Sequence, residues 1–148
     1  MKKNLTLMVV LFGLIFTMAL PVGAASQTVC ETKTVTTVYG DFEVEETLVV
    51  YSAARSSTKS ASKSQTIKYD GVVIADVTLH ATFGHDSRTS WVVSAYSTRT
   101  TYGSWSYGSE SITKSGGTSS LSAMLRNSNA RNTPVNISMT CSPSGSIS

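Results

Sequence analysis

The sequence predicts an all-β protein: an antiparallel, immunoglobulin-like β-sandwich of seven to nine strands that follows an N-terminal signal-peptide helix. After residue 25 the chain carries 25 serines and 18 threonines, interleaved at a spacing of two with aliphatic and aromatic residues. That period is typical of a pleated sheet with one buried face. Turn residues recur roughly every 8–12 positions, as in sandwiches. A small closed barrel is the alternative architecture.

The first element is a leader over residues 1–25. Lys2 and Lys3 give it a positive start, residues 5–20 are almost entirely apolar, and small residues follow Pro21. This order is typical of a secretory signal peptide, and the apolar run is shorter than the ~20 residues that span a bilayer. We expect cleavage after Ala24 or Ala25, a single secreted domain over residues 26–148, and no membrane anchor afterwards.

Removing the leader changes the charge argument. The whole chain has a net charge of +3 and a sequence pI near 9.0. Loss of Lys2 and Lys3 leaves ten basic against nine acidic residues, a net charge of +1. A nucleic-acid partner is therefore not expected, because such proteins carry a persistent basic patch.

The two cysteines, Cys30 and Cys141, lie near the two ends of the mature chain. Export into an oxidising setting favours pairing of an even number of cysteines. A bridge would close a loop of roughly 110 residues and stabilise the fold by roughly 4–5 kcal/mol. Two buried thiols or an intermolecular bridge are the alternatives, and two cysteines are too few to hold a metal.

Alternation and turn signals divide the mature chain into strands. The predicted strands cover residues 29–39, 42–51, 60–69, 72–83, 91–101, 109–114, 118–126 and 135–141. The strongest strand, 72–83, alternates six apolar residues with mostly polar ones. Asp70-Gly71 before it is a tight-hairpin signal, because both residues tolerate positive φ. Gly40-Asp41 and Gly116-Gly117 mark two further turns.

The charges of the first half are segregated along the chain. Residues 31–50 have a net charge of −4, and residues 51–68 have a net charge of +4. If these segments pair, opposite charges meet across strands, each pair contributing roughly 0.2–1 kcal/mol. Solvated edge strands are the simpler interpretation, and a binding site is the alternative.

Residues that could carry catalysis are few. His80, His85 and Asp86 have the types needed for a metal or an acid–base site, but the last two also fit ordinary turn chemistry. Glu43 and Glu45 would point the same way on a strand, at a spacing that two glycosidase acids could have, but no aromatic cleft accompanies them. No nucleophile elbow is present. We therefore expect no enzyme, no metal site and no cofactor.

The best candidates for ligand binding are four aromatic residues, Tyr96, Tyr102, Trp105 and Tyr107, in and beside the Gly- and Ser-rich stretch 102–108. Exposed tyrosine and tryptophan side chains offer a large contact area with a polar tip, and so can stack on a sugar or anchor a protein contact. In the alternative interpretation Trp105 fills the core and the tyrosines cover the end of the sandwich.

Three segments together carry a resemblance: VVIADVTLHATFGHD, SYGSESITKSGGTSSLSAML and PVNISMTCSPSGSIS. With their order after a leader and an early cysteine, they resemble small secreted proteins of Gram-positive, clostridia-like bacteria. The likeness implies export and an all-β fold, and it transfers no site residues.

The sequence thus favours a secreted, non-enzymatic extracellular binding module whose ligand is a glycan, a wall polymer or a protein. A bacteriocin-like or toxin-like effector is one alternative, although a net charge of +1 disfavours cationic membrane attack. A structural protein that assembles through its sheet edges is the other. Ligand identity and oligomeric state do not follow from these residues.

Overall fold

The computed structural model describes residues 27–52 and 57–148, which form eight β-strands and no helix. The strands are β1 (Thr28–Tyr39), β2 (Phe42–Ser52), β3 (Thr58–Tyr69), β4 (Val72–His85), β5 (Ser90–Thr101), β6 (Ser106–Ser115), β7 (Thr118–Arg126) and β8 (Thr133–Thr140). Every predicted strand is found, with ends displaced by three residues at most. The predicted leader lies outside the described residues.

Strands that are hydrogen-bonded to each other within a sheet are always consecutive in the chain. The larger sheet has the order β1-β2-β3-β4-β5, and the smaller sheet has the order β6-β7-β8, with all pairs antiparallel. This confirms the all-β class and the predicted number of strands. The described strands do not follow the immunoglobulin order, which needs repeated Greek-key crossings between sheets. Here the chain passes from one sheet to the other once, between β5 and β6.

The core lies between the two sheets. Alternate residues of β4 from Ala75 to Phe83 are at most 4% exposed, and they face Leu121, Leu125 and Ile137 of the smaller sheet. This is the alternation predicted for residues 72–83, with one difference. Regular alternation would place Val73 in the core and Ile74 outside. A bulge where β4 meets β3 instead turns Ile74 inward and leaves Val73 only half-buried.

The predicted hairpin and charge pairing are both present. Asp70 and Gly71 adopt φ values of 49° and 77°, as a tight two-residue turn requires. The acidic segment pairs with the basic one, so that Lys68 contacts Glu43 at 2.7 Å and Lys63 contacts Glu46 at 2.9 Å. Alternation places these two ion pairs on opposite faces of the sheet.

The expected Cys30–Cys141 disulfide is not formed, and both residues are free thiols. Cys30 is exposed at a bulge in β1, the outermost strand of the larger sheet. Cys141 follows β8 in the smaller sheet and is 2% exposed, and its burial raises the pKa of the thiol. The prediction assumed that closeness to the chain ends means closeness in space, which this pair of meanders does not provide.

The two long sides of the sandwich differ. On one side β6 packs beside β5, where Ser97 donates a hydrogen bond to Glu110 at 2.8 Å. On the other side β8 lies against β3 and β4, and β1 and β2 extend past it. This leaves an open groove, lined mainly by Glu31, Lys33, Val35, Glu46, Lys63 and Asn136. In the part of the chain that the structure describes, no helix suited to crossing a membrane occurs.

Candidate functional site

The four aromatic residues predicted to bind a ligand separate into an inward pair and an outward pair. Trp105 is half-buried, with its ring 6.1 Å from that of Phe42 and 5.7 Å from that of Tyr69. Because it packs against the core at one end of the sandwich, it is poorly placed to contact a ligand.

Tyr107, the second inward residue, belongs to β6 and lies on the side of the sandwich where β6 packs beside β5. Its hydroxyl donates a hydrogen bond to Glu110 at 2.6 Å, and the guanidinium of Arg99 lies 4.8 Å from the centre of its ring. Burial, helped by the bond to Glu110, raises the pKa of the phenol far above its usual range, while the same bond lowers the pKa of Glu110. These contacts join the two sheets.

Tyr96 and Tyr102 form the outward pair, on the outer face of the larger sheet. Tyr102 donates a hydrogen bond to Asp76 at 2.7 Å, which raises the pKa of the phenol. Tyr96 is the more exposed, with 58% of its surface accessible, and its ring stacks on His80 at 4.7 Å and 16°. Of these four residues, Tyr96 therefore has the most exposed ring, and His80 fixes its orientation from below.

Tyr96 belongs to a larger surface that sequence reasoning missed. Strand register aligns outward side chains in three successive rows across the sheet, and we call these rows the hydroxyl platform. The rows are Thr34–Thr47–Ser64–Thr78–Thr98, Thr32–Val49–Ser62–His80–Tyr96 and Tyr51–Ser60–Thr82–Ser94. With strands ~4.8 Å apart and alternate residues ~6.7 Å apart, the platform measures roughly 19 by 13 Å.

Hydrogen bonds between neighbouring side chains hold the platform in position. Thr34 and Thr47 pair at 3.0 Å, and so do Ser60 and Thr82. The threonine side chains have few rotamers available, so little freedom remains to be lost on binding. Each hydroxyl can both donate and accept, and a single partner leaves further capacity for a ligand.

His80 lies within this network. Its Nδ1 is 2.9 Å from the hydroxyl of Ser62, and its Nε2 is 3.1 Å from that of Thr98. Neutral imidazole has one donor and one acceptor, and two hydroxyl neighbours satisfy both. Burial lowers the pKa of His80, so the platform is uncharged at neutral pH.

Charged side chains surround the platform instead of lying on it. Glu43, Lys68 and Asp76 lie in the rows toward one end of the outer face. Glu31, Lys33, Glu46 and Lys63 have the opposite alternation and line the open groove. The acidic and basic segments therefore form ion pairs on both faces of the sheet, outside the platform on one face and in the groove on the other.

The open groove contains a network that covers the edge of β8. Lys63 donates a hydrogen bond to the carbonyl oxygen of Ser138 at 3.1 Å, and Gln65 donates one to that of Asn136 at 2.9 Å. The carboxylate of Glu46 accepts from both donors, one oxygen from the Lys63 ammonium and the other from the Gln65 amide, at 2.9 Å each. At the end of β8 the backbone of Ser148 pairs with that of Thr140 in both directions. Inward charges of this kind hinder the pairing of an exposed edge with another chain.

The candidate metal and acid–base residues do not form a site. His85 is the last residue of β4, where it pairs with Ser90, and its ring packs against Gly145, away from His80 on the platform. Asp86 accepts hydrogen bonds from the backbone of Arg88 and Thr89, which lower its pKa, as in ordinary turn chemistry. Among the described residues no cluster of three or more histidine, cysteine, aspartate or glutamate side chains suits a metal ion.

A signal for the platform was present in the sequence. Ser or Thr occupies most alternate positions of β1, β3 and β5, as in residues 60–66, and that alternation defines one face. The order of the strands, which aligns the rows across all five, had to come from the structure.

No protein-family model, no curated protein and no solved structure matches this chain.

Proposed function

We propose that this chain is a secreted, non-enzymatic binding module that holds a neutral glycan or wall polysaccharide on the hydroxyl platform. The observation that carries the proposal is the uncharged hydroxyl platform on the outer face of the larger sheet, on which Tyr96 lies exposed and stacked on His80. Export by the leader, residues 1–25, is part of the proposal.

The absence of charge favours a neutral ligand. A charged polymer would lose hydration on binding and gain no opposite charge in return. The hydroxyls of a neutral sugar are donors and acceptors, as are the hydroxyls of the platform. A flat face of roughly 19 by 13 Å suits an extended polymer better than a small molecule, which prefers a concave pocket.

Tyr96 is the aromatic contact in this proposal. Its ring offers a flat apolar face to a sugar ring, and His80 beneath it restricts its rotation. Tyr102 provides a matched control, because it is an exposed tyrosine on the same face that lies toward the charged end and is bonded to Asp76.

The test measures retention of the purified protein on insoluble cellulose, chitin and curdlan, with the polyanion heparin on beads as the contrast. We expect retention on at least one neutral polymer and none on heparin at moderate salt. Tyr96→Ala should weaken that retention about tenfold or more, and Tyr102→Ala by less than about twofold, both with unchanged thermal unfolding. Equal effects of the two variants, or retention on heparin alone, would contradict the proposal.

The second candidate function is assembly through sheet edges, favoured by the position of β1. This strand of twelve residues is the outermost of its sheet, with no partner on its other side among the described strands. Such an edge can pair with a second copy. Light scattering separates the two functions, because assembly predicts a mass that rises with concentration, whereas a binding module of this kind stays monomeric.

A further inference from the structure

The outer face of the smaller sheet repeats the chemistry of the hydroxyl platform. Three rows cross β6, β7 and β8, and we call them the second face: Ser111–Ser122–Asn136, Thr113–Ser120–Ser138 and Ser115–Thr118–Thr140. Each of these nine side chains is uncharged and polar. Most are exposed, and the remaining two, Thr118 and Ser120, are half-buried.

Hydrogen bonds also fix this second face. Thr118 and Thr140 pair at 3.0 Å, and Ser120 and Ser138 pair at 2.9 Å. In the third row Ser122 donates to the side-chain oxygen of Asn136 at 3.1 Å. The same ordered arrangement of hydroxyls thus occurs on both outer sides of the sandwich.

Charged side chains avoid the second face as well. Lys114 has the opposite alternation, since it pairs with the fully buried Ser119. Arg126 has the same alternation as the second face but lies beyond it, at the far end of β7, where it donates to Ser109. Several adjacent rows of uncharged side chains on both sheets are unusual for solvated strands, which commonly carry lysine and glutamate.

We infer that the second face binds the same class of ligand as the platform, a neutral polysaccharide, so that one molecule bridges two polymer surfaces. This inference rests on the proposed function. The two outer faces point in opposite directions, because the inner faces of the sheets pack against each other. With sheets ~10 Å apart and a layer of side chains on each side, the two bound polymers would lie roughly 20 Å apart.

The second face should bind more weakly than the platform. Its three strands make it roughly 10 Å wide, against roughly 19 Å for five strands. It also has no counterpart of Tyr96, since its rows contain no aromatic side chain. The platform would therefore anchor the molecule, and the second face would capture a second chain at the high local concentration that anchoring provides.

The test uses particles of whichever neutral polymer retains the protein, and soluble, dye-labelled oligosaccharides of that same polymer. We expect protein-coated particles to capture the labelled chains. Ser120→Arg, in the centre of the second face, should leave retention on the particles unchanged and lower capture at least fivefold. Ser128→Arg is the matched control, an equal change in an exposed loop off both faces, and should change neither quantity.

Thr113→Arg repeats the test on β6, an edge strand whose exposed position 113 easily accommodates a large side chain, and it should also lower capture. Thermal unfolding checks that each variant is folded. Normal capture by folded Ser120→Arg or Thr113→Arg would overturn the inference, because bridging would then arise by another route such as a dimer. Coated particles that capture no labelled chains would overturn it while leaving the proposed function intact. Failure of the protein to bind any neutral particle would overturn both.

Discussion

The two faces of the larger sheet carry opposite kinds of polar surface, although they belong to the same strands. The outer face presents the uncharged hydroxyl platform, whereas the inner face, where it extends past β8, presents Glu46 and Lys63 in an open groove. The inward groups bond to backbone carbonyls of the other sheet, whereas the outward groups bond within their own sheet. The difference teaches that inward polar groups join the two sheets, whereas outward ones remain accessible at the surface.

The aromatic residues test this comparison with the largest expected effect. Trp105→Ala removes an inward ring packed against Phe42 and Tyr69, and should lower the free energy of unfolding by about 3 kcal/mol. Tyr96→Ala, on the outer face, should lower it by less than about 1 kcal/mol. Urea denaturation measures both, and equal losses would remove the distinction between inward and outward rings.

The groove network gives the next effect. Glu46→Ala leaves Lys63 and Gln65 without their common acceptor, and should cost about 1–2 kcal/mol in urea denaturation. Because these two side chains cover carbonyls of the β8 edge, we also expect larger species in light scattering.

The matched control is Glu43→Ala, which breaks the ion pair with Lys68 on the outer face. That pair is partly exposed, so its loss should cost much less stability than the loss of Glu46 and leave light scattering unchanged. If Glu43→Ala proves as costly as Glu46→Ala, the groove has no special role in stability.

The smallest effect concerns pH. Burial lowers the pKa of His80 in the folded protein, so below about pH 6.5 the unfolded chain takes up a proton more readily than the folded one. The stabilising contribution of neutral His80 is present above that pH, and is lost as the pH falls through the lowered pKa. The difference in melting temperature between wild type and His80→Gln should therefore shrink on acidification. A difference that stays constant would show that folding does not lower the pKa of His80.

Much of this fold follows from local patterns. Residues 118–126 were predicted with the bounds that β7 has, and Asp70-Gly71 forms the expected hairpin, because alternation and turn chemistry are local properties. Charge segregation between neighbouring segments indicated that opposite charges would meet if those segments paired, and the Glu43–Lys68 contact is one such pair. These predictions depended only on which strands are adjacent in the chain.

The remaining features depend on the arrangement in space. Whether Trp105 turns inward is decided by Phe42 and Tyr69, both more than thirty residues away. Lys63 lies two residues after the buried Ala61, so its inward position could have been deduced from the sequence. Its surroundings could not, because they are set by β8, the last strand of the smaller sheet. The same arrangement keeps Cys30 and Cys141 apart.

The measurement that tests the central claim most directly is NMR mapping of binding. Amide and side-chain resonances would be followed while the protein is titrated with soluble oligosaccharides of the polymer that retains it. We predict the largest shifts around Tyr96, His80, Ser62 and Thr98 on the hydroxyl platform, with smaller ones on the second face. The largest shifts at Glu31, Lys33 and Glu46 would contradict the account, because they would place the ligand in the open groove.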